Sequence, residues 1–102
     1  MFNLTKYVSK AKLEEFCTRN HIKKLAVFGS AIKGTMRSDS DIDILVEFEE
    51  NNIPGLITFC GTQNELSDII GREVDLRTSQ DLSRYFRQEV EKTAEVQYAS
   101  GR

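Results

Sequence analysis

Lys24-Leu-Ala-Val-Phe-Gly-Ser30 and Ser40-Asp-Ile-Asp-Ile-Leu-Val-Glu-Phe48 are the two stretches whose reading decides the fold. The first is an apolar run that stops abruptly at Gly29-Ser30, the pattern of a buried strand entering a tight turn. The second alternates strictly. Ile42, Ile44, Val46 and Phe48 fall on one face and Asp41, Asp43, Leu45 and Glu47 on the other, the two-residue period of a strand buried on at least one side.

Upstream, Ser9 is placed as an N-cap and Leu13, Phe16 and Cys17 recur at helical spacing, which predicts a short amphipathic helix over 9–19 ending near Asn20. Between the two strands, Ser30 to Gly34 has room for a helical turn at most, and Thr35 to Ser40 has loop composition. Downstream, Asn51-Asn-Ile-Pro-Gly55 breaks the chain before a predicted helix over Leu56–Ile70. Its apolar set is Leu56, Phe59, Cys60, Leu66, Ile69 and Ile70, with Gly71 in the C′ position. Glu73 to Arg77 is a short third strand, Thr78 or Ser79 caps a helix running through Leu82, Phe86 and Val90, and Ala94 to Tyr98 is a short edge strand. This order of elements predicts an α/β (α+β) fold, a small mixed sheet with helices packed on it, as one domain over residues 1–102.

The composition narrows the functional classes. The 102 residues carry 14 Lys+Arg against 16 Asp+Glu, a net charge of −2, which gives no surplus of cations for general nucleic-acid binding. No run approaches the roughly 20 apolar residues of a bilayer span, and the first residues do not have the pattern of a secretory signal. A cytoplasmic protein that binds neither membrane nor DNA is expected, with Cys17 and Cys60 as reduced, buried thiols. Charge is unevenly spread: residues 1–24 hold six Lys/Arg and two Glu, whereas Asp39 to Glu50 hold six acids and no Lys or Arg.

Two features of the central stretches carry chemistry. Glycine at a strand end lets the backbone turn tightly and approach a ligand, while the following turn offers N–H groups and the Ser30 hydroxyl to an anion such as a triphosphate. Asp41 and Asp43, two apart on a strand, point to one side with Cα atoms ~6.6 Å apart at ~3.3 Å per residue. Carboxylates so placed can share a pair of Mg²⁺ ions ~3.5–4 Å apart, as two-metal phosphoryl transfer requires. Taken alone, the same acids also fit the wet side of an amphipathic strand, since Glu47 and Glu49 continue their face.

Other motifs fail on geometry. Asp39, Asp41, Asp43 and Glu50 occupy calcium-loop positions, yet Ile44 stands where that loop turns on glycine. In Gly29-Ser-Ala-Ile-Lys-Gly-Thr35 the lysine precedes the second glycine, the reverse of a P-loop. Cys17 and His21 share a helical face but make no closed metal site, and Tyr85, Phe86 and Tyr98 are read as packing residues. Phe2, Leu4 and Tyr7 are either a partner-facing patch or the cover of a core edge.

Phe28-Gly29-Ser30, Gly34, Ser40-Asp41-Ile42-Asp43 and Val74-Asp75-Leu76 together resemble the G-S-x10-D-x-D pattern of the polymerase-β-like nucleotidyltransferases. More narrowly, the chain resembles the minimal nucleotidyltransferase (MNT) antitoxins of HEPN/MNT toxin–antitoxin pairs over nearly its whole length. The resemblance implies that Gly29 and Ser30 hold the β/γ phosphates of ATP, and that Asp41 and Asp43 ligate two Mg²⁺ ions. It implies for Asp75 the third carboxylate, binding one metal and helping to deprotonate the attacking hydroxyl. Family members often carry arginines after the serine, where this chain has Ala31, Ile32 and Lys33. Lys33 and Arg37 are the cations left to face phosphate.

The activity so implied is transfer of AMP from ATP to a tyrosine of a HEPN ribonuclease toxin. The alternatives are a catalytically inert antitoxin that masks its toxin sterically, and the catalytic subunit of a small-molecule or RNA-end nucleotidyltransferase.

Overall fold

Ser9 opens the first helix as its position predicts: its Oγ accepts from the Lys12 N–H at 3.2 Å, and α1 runs Lys10–Arg19. Asn20 closes it, and His21 (φ 56°) turns the chain into β1 (Ile22–Phe28). After Gly29 come a four-residue helix α2 (Ser30–Lys33), β2 (Ile42–Phe48), α3 (Leu56–Ile70), β3 (Val74–Arg77), α4 (Arg84–Thr93) and β4 (Glu95–Ala99). Short 3₁₀ turns occupy Leu4–Lys6, Glu50–Asn52 and Ser79–Asp81. This computed structural model describes residues 2–100.

The strands form one mixed sheet in the order β3-β2-β1-β4. β1 is antiparallel to both β2 and β4, while β2 and β3 are parallel and joined through α3, the crossover that a parallel pair requires. A small α+β domain with a mixed four-stranded sheet is thus what the alternating patterns foretold. Among the described residues, no helix is long and apolar enough to cross a membrane.

The alternation of β2 sorts the two faces of the sheet. Ile42, Ile44, Val46 and Phe48 join Leu25 and Val27 of β1, Leu13, Phe16 and Cys17 of α1, and Leu66 and Ile70 of α3 in one apolar core. Ile22 joins the same core despite its odd spacing from Leu25, because an irregularity between Ile22 and Lys24 shifts the register of β1. On the opposite face Phe28 packs with Leu82 and Val90 into a smaller cluster, bordered by Leu45 and Ala94. Burial pushes the Cys17 thiol up to about 12, and the neighbouring Glu14 carboxylate adds to the shift.

Both sheet edges are tied down by side chains. On β3, the Val74 N–H donates to Ser67 Oγ at 3.0 Å and the Leu76 N–H to Gln63 Oε1 at 2.9 Å, so α3 satisfies donors that lack a neighbouring strand. Along β4, Glu95 Oε1 accepts from the Phe2 N–H and Gln97 Oε1 from the Leu4 N–H, while Gln97 Nε2 donates to the Phe2 carbonyl. Leu4 is buried and Phe2 stacks on Tyr7, so the N-terminal apolar residues cover a core edge.

Several expectations are corrected. Leu56 and Cys60 do not face the core: Leu56 is 79% exposed, the Cys60 thiol is free and exposed, and Thr62 turns inward with Leu66 and Ile70. Thr78 does not cap α4. It forms a capping box with Asp81 around the 3₁₀ turn, the chain extends at Leu82, and α4 starts one residue after Ser83. Tyr85 is exposed rather than packed.

Candidate active site

The sheet register builds the site. Phe28 at the end of β1 pairs with Asp43 on β2, and Asp43 pairs in turn with Asp75 on β3. Residues in register on neighbouring strands project from the same face about 4.8 Å apart, so Asp43 stands between the β1 turn and Asp75. Asp41, two residues before Asp43, belongs to the same face by the strand period and is exposed just ahead of β2.

Gly29 explains why the turn is so tight. Its backbone (φ 75°, ψ −140°) lies in a region that side chains disfavour, and a Cβ there would overlap Asp43 Oδ2. The absent side chain therefore gives the carboxylate its place. The carbonyl of Gly29 accepts from the N–H groups of Ile32 and Lys33, each at 3.1 Å, which winds α2 directly behind it with Ser30 in first position.

A second clamp fixes the approach to Asp41. Arg72, which follows the C-terminus of α3, donates from one Nη to the carbonyls of Arg37 at 2.9 Å, Ser38 at 3.1 Å and Ser40 at 2.6 Å. The Arg37 N–H also donates to Ser40 Oγ. One guanidinium thus gathers the loop that carries the chain into the first acid.

Electrostatically the site is overloaded with negative charge. Asp43 is held above the usual carboxylate range, first by burial and then by the charges of Asp75 and Asp41, with Arg77 opposing. Arg77 donates from Nε to Asp75 Oδ1 at 3.1 Å and from Nη2 to Asp75 Oδ2 at 3.3 Å. That pairing raises the Arg77 guanidinium further. Among the described residues, no three His, Cys, Asp or Glu side chains converge as they stand on a point that could hold a metal ion. The donor set still suits one: hard carboxylate oxygens, mutually repelling and partly desolvated, are the ligands that Mg²⁺ takes.

These residues line a cleft of about 230 Å³. Gly29, Asp43 and Asp75 meet there with Arg77, Asp81 and Ser83, and Phe28 and Phe86 form an apolar wall with rings edge-on, centroids 6.2 Å apart. Ser30 borders the cleft through Gly29. Lys33 and Arg37 are exposed and do not line it, so among the expected residues the structure gathers Gly29, Asp43 and Asp75 directly, with Asp41 and Ser30 adjoining.

Sequence reasoning missed Arg72, Arg77 and Asp81, whereas Phe86 packs on Phe28 as expected. Arg77 alone left a trace, a charge two residues after Asp75 and therefore on the same strand face.

Residues 10–97 match the nucleotidyltransferase domain family. The protein adenylyltransferase MntA of Thermococcus cleftensis is 41% identical over 66 residues, 65% of each chain. A solved structure described as a candidate minimal nucleotidyltransferase superposes with a TM-score of 0.69 at 30% identity, covering 91% of this chain and 94% of that one. A complex of a tri-AMPylated Shewanella oneidensis HEPN toxin with an MNT antitoxin matches with a TM-score of 0.62 at 21% identity, covering 88% and 69%, a likeness of fold. The chain spans less than two thirds of the length of the first curated relatives it matches.

Proposed function

The chain belongs to the nucleotidyltransferase domain family, and we propose that it is an AMP-transferring antitoxin that modifies a tyrosine hydroxyl of a HEPN toxin. The observation that carries this reading is the row Gly29–Asp43–Asp75, in which a side-chain-free turn abuts two carboxylates in register. The MntA relative is named as a protein adenylyltransferase, and the Shewanella complex joins an AMPylated HEPN toxin to an MNT antitoxin.

In this reading Asp41, Asp43 and Asp75 hold two Mg²⁺ ions. Bound there, the ions supply charge neutralisation for the triphosphate and a lowered pKa for the attacking hydroxyl. Gly29 and Ser30 hold the β and γ phosphates of ATP at the start of α2, and Lys33 and Arg37 approach the phosphates from the exposed side. The acceptor hydroxyl attacks the α-phosphorus, the P–O bond to the β-phosphate breaks, and pyrophosphate leaves. Asp75 takes the hydroxyl proton. Phe28, Phe86 and Leu82 keep water from one side of the cleft.

Incubating the chain with ATP, Mg²⁺ and a candidate HEPN toxin tests this. Each transferred AMP adds ~329 Da to the toxin in the phosphoryl-transfer scheme, read by intact-mass spectrometry. A toxin that binds and stays unmodified overturns the reading. Neutralisation that survives Asp41→Asn with Asp43→Asn at unchanged affinity assigns a purely steric antitoxin instead.

A further inference from the structure

Arg77 is a charged side chain that the proposed chemistry does not use, although it engages one of the three acids. Both oxygens of Asp75 accept from it, at 3.1 and 3.3 Å, and Asp75 is the register partner of Asp43. A carboxylate that accepts from a guanidinium on both oxygens has part of its charge and coordinating capacity engaged, so the guanidinium competes with a cation beside Asp43. The pair is also easily broken. Its side chains are 47% and 36% exposed, and an ion pair of that exposure contributes about 1 kcal/mol or less.

A destination stands in the same cleft. Asp81 Oδ2 accepts from the Thr78 N–H and from Thr78 Oγ1, each at 3.0 Å, which fixes the carboxylate at the 3₁₀ turn. Asp81 Oδ1 accepts no hydrogen bond among the described residues. Arg77 already feels its charge. Asp75, Arg77 and Asp81 line the same cleft, so the exchange of partners is a side-chain movement within it.

We propose that Arg77 is a resident counter-cation of the acidic cluster: it occupies Asp75 while divalent ions are absent and transfers to Asp81 when they bind. Arg77 is thus a positioning residue. It offsets part of the repulsion between Asp43 and Asp75 while ions are absent and gates their entry. The inference rests on the metal-binding reading of the acids.

The test is Mn²⁺ binding to the whole chain without nucleotide, followed by electron paramagnetic resonance of the free ion. Removing a competing pair worth about 1 kcal/mol tightens Mn²⁺ binding about fivefold in Arg77→Gln. Asp81→Asn weakens binding in the unaltered background and by much less in the Arg77→Gln background, because its effect runs through Arg77. Addition of Mg²⁺ moves the Arg77 Nε–H resonance in the ¹H–¹⁵N spectrum. Equal or weaker binding in Arg77→Gln, an Asp81→Asn effect of the same size in both backgrounds, or an unmoved Nε–H signal overturns the inference. In those cases loss of Mn²⁺ binding in Asp43→Asn keeps the metal site itself. Failure of the unaltered chain to bind Mn²⁺ overturns both.

Discussion

The two faces of β2 share one backbone and do opposite things. Ile42, Ile44, Val46 and Phe48 are at most 8% exposed and bind the sheet to α1 and α3. One residue out of phase, Asp43 is held between two other acids and a glycine turn, in an arrangement that raises the cost of its own charge. One face makes the domain stable. The other gives up stability to gather negative charge in the cleft, where the proposed function has a cation and a triphosphate bind. The lesson is that period two lets a seven-residue strand hold a core and a candidate reaction centre back to back, provided its register never slips.

Asp43→Asn is the sharpest way to separate the faces. Proposed AMP transfer falls on the order of a thousandfold as a metal ligand is lost. The metal-free domain becomes more stable, read as a rise in melting temperature, because the repelled and partly buried charge is gone. A fall in melting temperature would break the comparison.

Ile44→Ala acts on the other side of the same strand. It costs about 2–5 kcal/mol in denaturant unfolding through a cavity in the main core. Residual transfer per folded molecule stays near normal where the domain still folds. Gly29→Ala strikes the junction of the two faces, combining an unfavourable φ with overlap on Asp43. It lowers both stability, by about 1–3 kcal/mol, and transfer.

Cys17 reports on the closed face through pH. Its folded-state pKa is raised, so the unfolded chain loses the thiol proton first as pH rises. The stability it contributes is complete below about 9, and is lost progressively as pH climbs to the folded value of about 12. At pH 10 the loss attributable to this one group is about 1.4 kcal/mol, read as the difference between the pH profiles of the unaltered chain and Cys17→Ala. A smaller effect follows from Arg72→Ala. Unpinning the loop from 37 to 40 costs about 1 kcal/mol at an exposed site, and faster amide exchange is confined to the residues leading into Asp41.

What the sequence made legible was whatever depends on period and on local turn chemistry. The alternation from Asp41 to Phe48 placed β2 and its two faces, Gly29-Ser30 marked the turn, and Ser9 and Gly71 marked helix ends that the structure keeps. Helical spacing gave α3 its span but misjudged Leu56 and Cys60, since a stripe of apolar residues does not reveal whether another element reaches far enough to cover it. The break at Leu82 was hidden for a related reason. Leu82 is apolar and at helical spacing from Phe86, yet the Thr78–Asp81 box closes the turn before α4 begins. The pairings of Arg72 and Arg77 needed the third dimension, because one joins residues more than thirty positions apart and the other depends on which way a strand faces.

Gln63 and Ser67 sit in the places a fifth strand would claim beside β3. With its outward amides already spoken for, that margin offers no template to a stray extended segment, from this chain or any other. Crowded or partly unfolded conditions therefore find it closed to the edge-to-edge stacking that begins fibril growth.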